Sequence, residues 1–298
     1  MAAHAAPLTI DRSAGERIAP GLLDALLHDP ATRALVVRGD AAPVAAGGLL
    51  LVPTAAVAEG ARWAFLGRDR TGAGVVVAAF AADGEPFAAA GPDAAPEWAP
   101  LRQVGAHLAD GELEALVAAI AIGRWLVEAP FCPACGGATT SMQAGWSRVC
   151  DVCGREHFPR TDPAVIVAVA SEDGSRLLLG ANAAWQGRMY SCFAGFVEAG
   201  ESLETAVHRE IAEEAGVRVA DIRYVGSQPW PYPRSLMLGF HAATVADDEA
   251  RADGEEILSV RWFSRDEIGE GLAGRGDVSL PGPASIAHRL IRSWYEGA

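Results

Sequence analysis

Four of the five cysteines stand in two tight pairs, Cys132 with Cys135 and Cys150 with Cys153, with fourteen residues between the pairs. No other feature restricts the fold so tightly. A C-x-x-C knuckle wraps two thiolates onto one metal, and Gly136 and Gly154 directly behind the knuckles let the chain turn away with positive φ. Two knuckles supply four sulfurs at tetrahedral geometry, which suits one structural zinc ion per chain with no open position. A disulfide pair is the competing reading, but the double spacing favours metal and a reducing compartment. So small a module has little core, and metal binding supplies much of its folding free energy. The fifth cysteine, Cys192 in "MYSCFAGF", reads as a small buried hydrophobe.

The module, residues 128–158, divides the chain. Before it, residues 1–127 hold short apolar runs ("RALVVRG", "AGGLLLVP", "ARWAFLG", "AGVVVAAF") punctuated by Gly, Asp and Pro. These predict strands joined by turns. The long helical pattern "DGELEALVAAIAIGRWLVEA" follows, interrupted only by Gly123. After the module, residues 159–298 mix buried strands ("PAVIVAVA", "RLLLG", "SLMLGFHAATV", "ILSVRWFS") with helices ("LETAVHREIAEEAG", "GPASIAHRLIRSWY"). That mixture predicts one α/β (α+β) domain. A net charge of −14 argues against broad nonspecific binding to nucleic acid or anionic membrane. The first residues show no basic segment followed by an apolar run, so no signal peptide is expected. The longest apolar stretches fall well short of the ~20 residues of a membrane span. A cytoplasmic location is the expectation.

Residues 195–217, "GFVEAGESLETAVHREIAEEAGV", hold six acidic side chains. As a helix, this stretch places Glu210, Glu213 and Glu214 at i, i+3 and i+4 on one face. Like charges at that spacing destabilise an isolated helix, so the cluster wants a cation, and hard oxygen ligands point to Mg²⁺ or Mn²⁺. A solvated acidic face is the plainer alternative. Gly195 and Gly216 read as residues that set the turns at each end, and Arg209 can hold a glutamate in place. Glu198 and Glu204 read as ordinary solvated charges. Farther on, "SQPWPYPRSLM" carries three prolines within five residues, which predicts a stiff extended loop presenting Trp230 and Tyr232 as a wall for a flat ring.

The spacing weighs against the plain acidic face. Glycine, five residues, Glu201, seven residues, then Arg209-Glu210-Ile211-x-Glu213-Glu214-x-Gly216-Val217 matches the Nudix box at every fixed position. The resemblance to the Nudix hydrolase superfamily implies an α/β/α sandwich and cleavage of a nucleoside diphosphate linked to another moiety. A zinc ribbon ahead of the box and "SQPWPYP" behind it resemble the NADH pyrophosphatase subfamily, in which that segment is "SQPWPFP"; Tyr232 keeps the ring. Over residues 1–127 the resemblance rests mainly on "LRQV".

From the resemblance, Glu214, Glu213, Glu210, Arg209 and Glu201 are the expected catalytic set. Glu210, Glu213 and Glu214 would bind the divalent cations with the backbone oxygen of Ala194. A distant glutamate completes that site, and the register to Trp262 in "EEILSVRW" points to Glu256 rather than Glu255. Gln228, Pro229, Trp230, Pro231, Tyr232, Pro233, Arg234 and Ser235 match the substrate segment. Phe158 and Phe196 match a pair that sandwiches the nicotinamide, and Ala287 and Arg102 match further contacts. Gly145 stands where some members carry an acidic contact. The implied reaction is NAD⁺ or NADH plus water giving NMN(H) plus AMP, with removal of NAD caps from RNA 5′ ends as an extension and a homodimer as the assembly. A water deprotonated with help from a box glutamate would attack one phosphorus in line. Rival readings are a hydrolase of ADP-ribose or another nucleoside diphosphate, a non-catalytic nucleotide-binding regulator, and a nucleic-acid-binding ribbon. The intact box glutamates weigh against the second, and the few basic residues of the ribbon against the third.

Overall fold

The computed structural model describes residues 8–45, 48–87, 96–185, 189–246 and 250–297. Part of the N-terminal stretch read for a signal peptide, residues 1–7, lies outside them. The chain forms two compact units, Met1–Arg160 and Thr161–Ala298. The expected apolar runs become strands in the first unit. Arg33–Arg38 lies parallel to Gly74–Phe80 at the centre of a seven-stranded sheet, with Arg62–Arg68 antiparallel beyond. "AGGLLLVP" splits into Gly48–Leu49 and Leu51–Pro53, which pair with different neighbours. The helix Asp110–Glu128 packs on this sheet without a break at Gly123. A Cβ at Gly123 would come within 2.9 Å of Val37 Cγ2 and 3.0 Å of Ala79 Cβ, so glycine serves close approach of helix to sheet.

The cysteine module belongs to the same unit. Its strands Thr139–Met142, Ser147–Cys150 and Glu156–His157 form a three-stranded antiparallel sheet with Ser147–Cys150 in the middle. The turn between the first two strands docks on the neighbouring sheet, where Trp146 Nε1 donates to Phe65 O at 2.7 Å. The guanidinium of buried Arg148 donates to Leu126 O and Ala129 O at the end of the long helix. Gly145 has φ +94°, and a Cβ there would lie 2.4 Å from Ala64 Cβ. No acidic side chain fits at that position.

The second unit is built on one six-stranded sheet. Val219–Trp230, Ser235–Thr244, Asp162–Ala170, Arg176–Asn182 and Ile257–Ser264 follow in that order, and Phe193–Phe196 pairs with Asp162–Ala170. The central strand is buried on both faces, which explains its unbroken apolar reading. Val165, Val167 and Val169 face the helix Leu203–Ala215 through Val207 and Ile211. Ile166 and Ala168 face the helices Arg265–Leu272 and Ile286–Glu296 through Ile268, Leu290, Ile291 and Trp294. Alternation along one strand thus builds two cores and the expected α/β/α sandwich. Cys192 is buried in the second of these cores, and burial pushes its thiol up to about 12.

Candidate active site and zinc centre

The acidic helix starts where its sequence places a cap. Ser202 Oγ accepts from Thr205 N, and the helix stops at Gly216 with φ +67°. Ala206, Val207, Ile211 and Ala215 enter the core, which turns Glu210 and Glu214 inward at the edge of that apolar face. Glu210 is 9 % exposed and Glu214 5 %, whereas the Glu213 side chain remains 59 % exposed. Burial, then the charges of Glu256 and Glu210, push the Glu214 carboxyl up to about 8. Glu210 also rises, mainly through burial, with Glu213 and Glu256 adding to the effect against the opposing pull of Arg209. Glu210 thus feels the charges of Glu213 and Glu256, and Glu214 those of Glu210 and Glu256, with Glu256 contributed by a segment about 40 residues farther along the chain.

Arg209 organises the rest. Its guanidinium donates to both oxygens of Glu201 at 2.9 and 2.8 Å, to Glu210 Oε1 at 2.8 Å, to Glu213 Oε2 at 3.1 Å and to Phe196 O at 2.9 Å. Glu201 is held well below the usual carboxylate range, first by the hydrogen bond from Arg209 and then by Glu198 N. Ala194 reaches the cluster through its N–H, which donates to Glu214 Oε2 at 3.2 Å. Glu256 is exposed and receives Asn182 Nδ2 at 3.3 Å, while its carbonyl accepts from Ala183 N.

Gly195 needs a different explanation from the turn expected of it. It lies inside the strand Phe193–Phe196, opposite Val165, and a Cβ there would fall 2.0 Å from the Glu210 carboxyl carbon. The glycine makes the cradle into which Glu210 folds; the positive φ of the following loop belongs to Gly200. Buried, hard-oxygen, mutually repelling carboxylates beside such a cradle fit a divalent cation.

The proline-rich segment also differs from expectation. Gln228, Pro229 and Trp230 end the strand Val219–Trp230, paired with Met237, Leu236 and Ser235, and only Pro231–Arg234 form the turn. Pro229 is tolerated because this strand lies at the sheet edge, where among the described residues one side of the ladder has no neighbour to satisfy. Trp230 and Tyr232 stand with ring centroids 5.0 Å apart, tilted by 59°. Arg234 Nε pairs with Asp162 at 2.8 Å. Gln228 spends both ends of its amide on the start of the C-terminal helix, donating to Ala284 O and accepting from Ile286 N, each at 2.7 Å. Ser235 and Ala287 are buried, Ala287 in the helix-side core. Pro231 is buried and Pro233 exposed. Phe196 is 54 % exposed at the end of its strand. In the first unit, Phe158 is 55 % exposed at the end of the ribbon, and Arg102 lies exposed in the short helix Leu101–Val104.

Sequence reading missed Asp253, whose charge also raises Glu214, and Asn182, which holds Glu256. It missed His157 as well, four residues past Cys153. Nothing local in the sequence marks the first two, because both meet the site through folding.

In the ribbon the four Sγ atoms of Cys132, Cys135, Cys150 and Cys153 lie within 4.8 Å of one another. Cys132 to Cys153 is 3.7 Å and Cys135 to Cys150 is 3.5 Å. Zinc–sulfur bonds of about 2.3 Å in a tetrahedron require sulfurs about 3.8 Å apart, so the donor set fits zinc. Gly136 and Gly154 take φ of +74° and +71°, as the knuckles require. The N–H of Cys153 donates to Cys150 Sγ at 3.4 Å and draws that thiol down to about 6, against burial.

A four-sulfur ribbon ahead of an acidic helix–cradle site on an α/β/α sandwich defines a recognisable class. The NUDIX domain family matches residues 160–280, and the NADH pyrophosphatase zinc ribbon domain family matches residues 128–158. The chain belongs to the Nudix hydrolase family, in its NADH pyrophosphatase branch with a zinc ribbon. Among curated proteins it is similar to the NAD-capped RNA hydrolase NudC of Mycobacterium bovis, 47% identical over 214 residues that cover 69% of this chain and 67% of that protein. The Mycobacterium tuberculosis NudC gives the same identity and coverage. The NAD-capped RNA hydrolase NUDT12 of Macaca fascicularis is 39% identical over 198 residues, 63% of this chain and 43% of that protein. A solved NUDIX hydrolase from Nitrosomonas europaea superposes with a TM-score of 0.43 at 26% identity, covering 56% of this chain and 90% of that one.

Proposed function

We propose that the chain hydrolyses the diphosphate bond of NAD⁺ and NADH to NMN(H) and AMP, and removes NAD caps from RNA 5′ ends. The observation that carries this reading is the pair of buried carboxylates, Glu210 and Glu214, that one helix turn presents beside the Gly195 cradle and the Ala194 N–H. The names of the NudC and NUDT12 relatives support the dinucleotide and the capped RNA as substrates. The division into residues 1–127, a ribbon at 128–158 and a catalytic domain at 159–298 is supported by the ribbon match over 128–158.

Glu210, Glu213, Glu214 and Glu256, with the backbone of Ala194, are the residues that would hold Mg²⁺ or Mn²⁺. Such cations, when bound, neutralise charge growing on the diphosphate oxygens. Arg209 fixes Glu201, Glu210 and Glu213 so that the carboxylates do not relax apart. Glu214 or Glu213 accepts the proton of the attacking water. Trp230, Tyr232 and Phe196 offer aromatic faces for the flat rings of the substrate, with the exposed Pro233 and Arg234 of the same segment as further contacts. The four thiolates of the ribbon suit a reducing cytoplasm, and a homodimer is the proposed assembly; light scattering on the purified chain tests the latter.

The deciding experiment compares NADH, NAD⁺, ADP-ribose and NAD-capped RNA as substrates with Mg²⁺ or Mn²⁺, with products separated by chromatography. NMN(H) and AMP from the dinucleotides are expected, together with 5′-monophosphate RNA from the capped transcript. Efficient cleavage of ADP-ribose with NADH left intact would move the chain to the rival substrate class.

A further inference from the structure

We infer that His157 is an outer-sphere partner of the ribbon zinc, donating its Nε2–H to the Cys132 thiolate and so slowing loss of the metal. The inference concerns the ribbon and stands independently of the hydrolysis proposed for the second unit. His157 Nε2 lies 3.1 Å from Cys132 Sγ. Cys132 is 2 % exposed, so water cannot readily supply the same contact. A zinc-bound thiolate carries no proton and can only accept, which makes the imidazole nitrogen the donor and fixes the Nε2–H tautomer. Four thiolates around one Zn²⁺ leave two surplus negative charges, and N–H groups aimed at the sulfurs offset them.

A backbone N–H of Gly137 serves Cys135, and the two buried sulfurs meet this need by different means. In the second knuckle, the backbone does it: Cys153 N–H points at the buried sulfur of Cys150. In the first, the nitrogen beside the buried sulfur of Cys132 belongs to a side chain. That side chain is firmly carried. Glu156 and His157 pair with Val149 and Arg148, and Cys150 N donates to Arg155 O at 2.9 Å. Arg148 in turn is bound to the carbonyls that end the helix Asp110–Glu128. His157 is not a ligand, since the four mutually close sulfurs already complete a tetrahedral set.

The test uses the full-length, zinc-loaded protein, with one zinc per chain established by atomic emission. Transfer of zinc to a chelating dye is then timed for the wild type, His157→Leu and His157→Gln. Loss of the donor in His157→Leu should speed release about tenfold, and the glutamine amide, which reaches the Nε2 position, should bring the rate back to within about threefold of wild type. Release from His157→Leu at the wild-type rate overturns the inference. A readout without any variant guards against a misfolded mutant: the imidazole ¹⁵N spectrum of the zinc-loaded wild type should show Nε2 protonated. The opposite tautomer, or a chain that purifies without zinc, overturns it as well.

Discussion

The sulfur cluster of the ribbon and the carboxylate cluster of the Nudix helix differ in how their negative charge is compensated. In the ribbon every ligand faces the same point, N–H donors from Cys153 and His157 meet the buried sulfurs, and the set is closed. In the helix, Arg209 compensates Glu201, Glu210 and Glu213, while among the described residues Glu214 meets the N–H of Ala194 and no cation. Glu214 is also the more buried of the two inward glutamates. Under the proposed function the difference would separate a centre that stabilises from one that acts: a closed set would hold its metal for the fold, and an under-compensated one would keep room for cations that also bind substrate oxygens.

The largest effect that tests this contrast falls on the ribbon. Cys150→Ser should abolish zinc binding and unfold the ribbon, since structural zinc contributes on the order of 10 kcal/mol to folding such modules. Zinc analysis and a thermal melt check it, and the melt should drop for the whole Met1–Arg160 unit because Trp146 and Arg148 tie the ribbon to its neighbours. Retained zinc with an unchanged melt would break the contrast.

Glu214→Gln should do the reverse, lowering turnover about 10³-fold while leaving the fold intact. Because burial and like charges oppose ionised Glu214, the cation-free variant should melt no lower than the wild type. Turnover near normal would remove Glu214 from the catalytic set. Gly195→Ala should have the smallest effect of the three, about 10²-fold in turnover, through displacement of Glu210 rather than loss of any charge. Its diagnostic is weakened cation binding with the carboxylates all present, measured by Mn²⁺ titration; unchanged binding would show that the cradle is dispensable.

Some of this was legible in the chain and some was not, and the boundary follows the range of the contacts. The helix Leu203–Ala215, its Ser202 cap and its Gly216 stop rest on local periodicity and capping, so they could be read directly. The knuckle glycines were equally plain. Gly195 was misread as a turn because a strand position that must lack a Cβ looks, in sequence, like any loop glycine. The prolines of "SQPWPYP" suggested a loop throughout, but an edge position lets Pro229 sit in a strand. Gln228 and Ala287 matched a family pattern of substrate contact, yet one amide is committed to the helix start and the other side chain is buried in the core.

By itself the sequence determined that Glu210, Glu213 and Glu214 share a helical face and that four cysteines can meet on one ion. Both follow from fixed local geometry, the 3.6-residue turn and the C-x-x-C knuckle. Only the tertiary structure decided that Glu210 and Glu214 are buried while Glu213 stays in solvent, and that Ala194, Glu256 and Asp253 join them. Those outcomes depend on which edge of the helix meets the apolar core and on the strands that bring distant segments to it. No spacing along the chain encodes that.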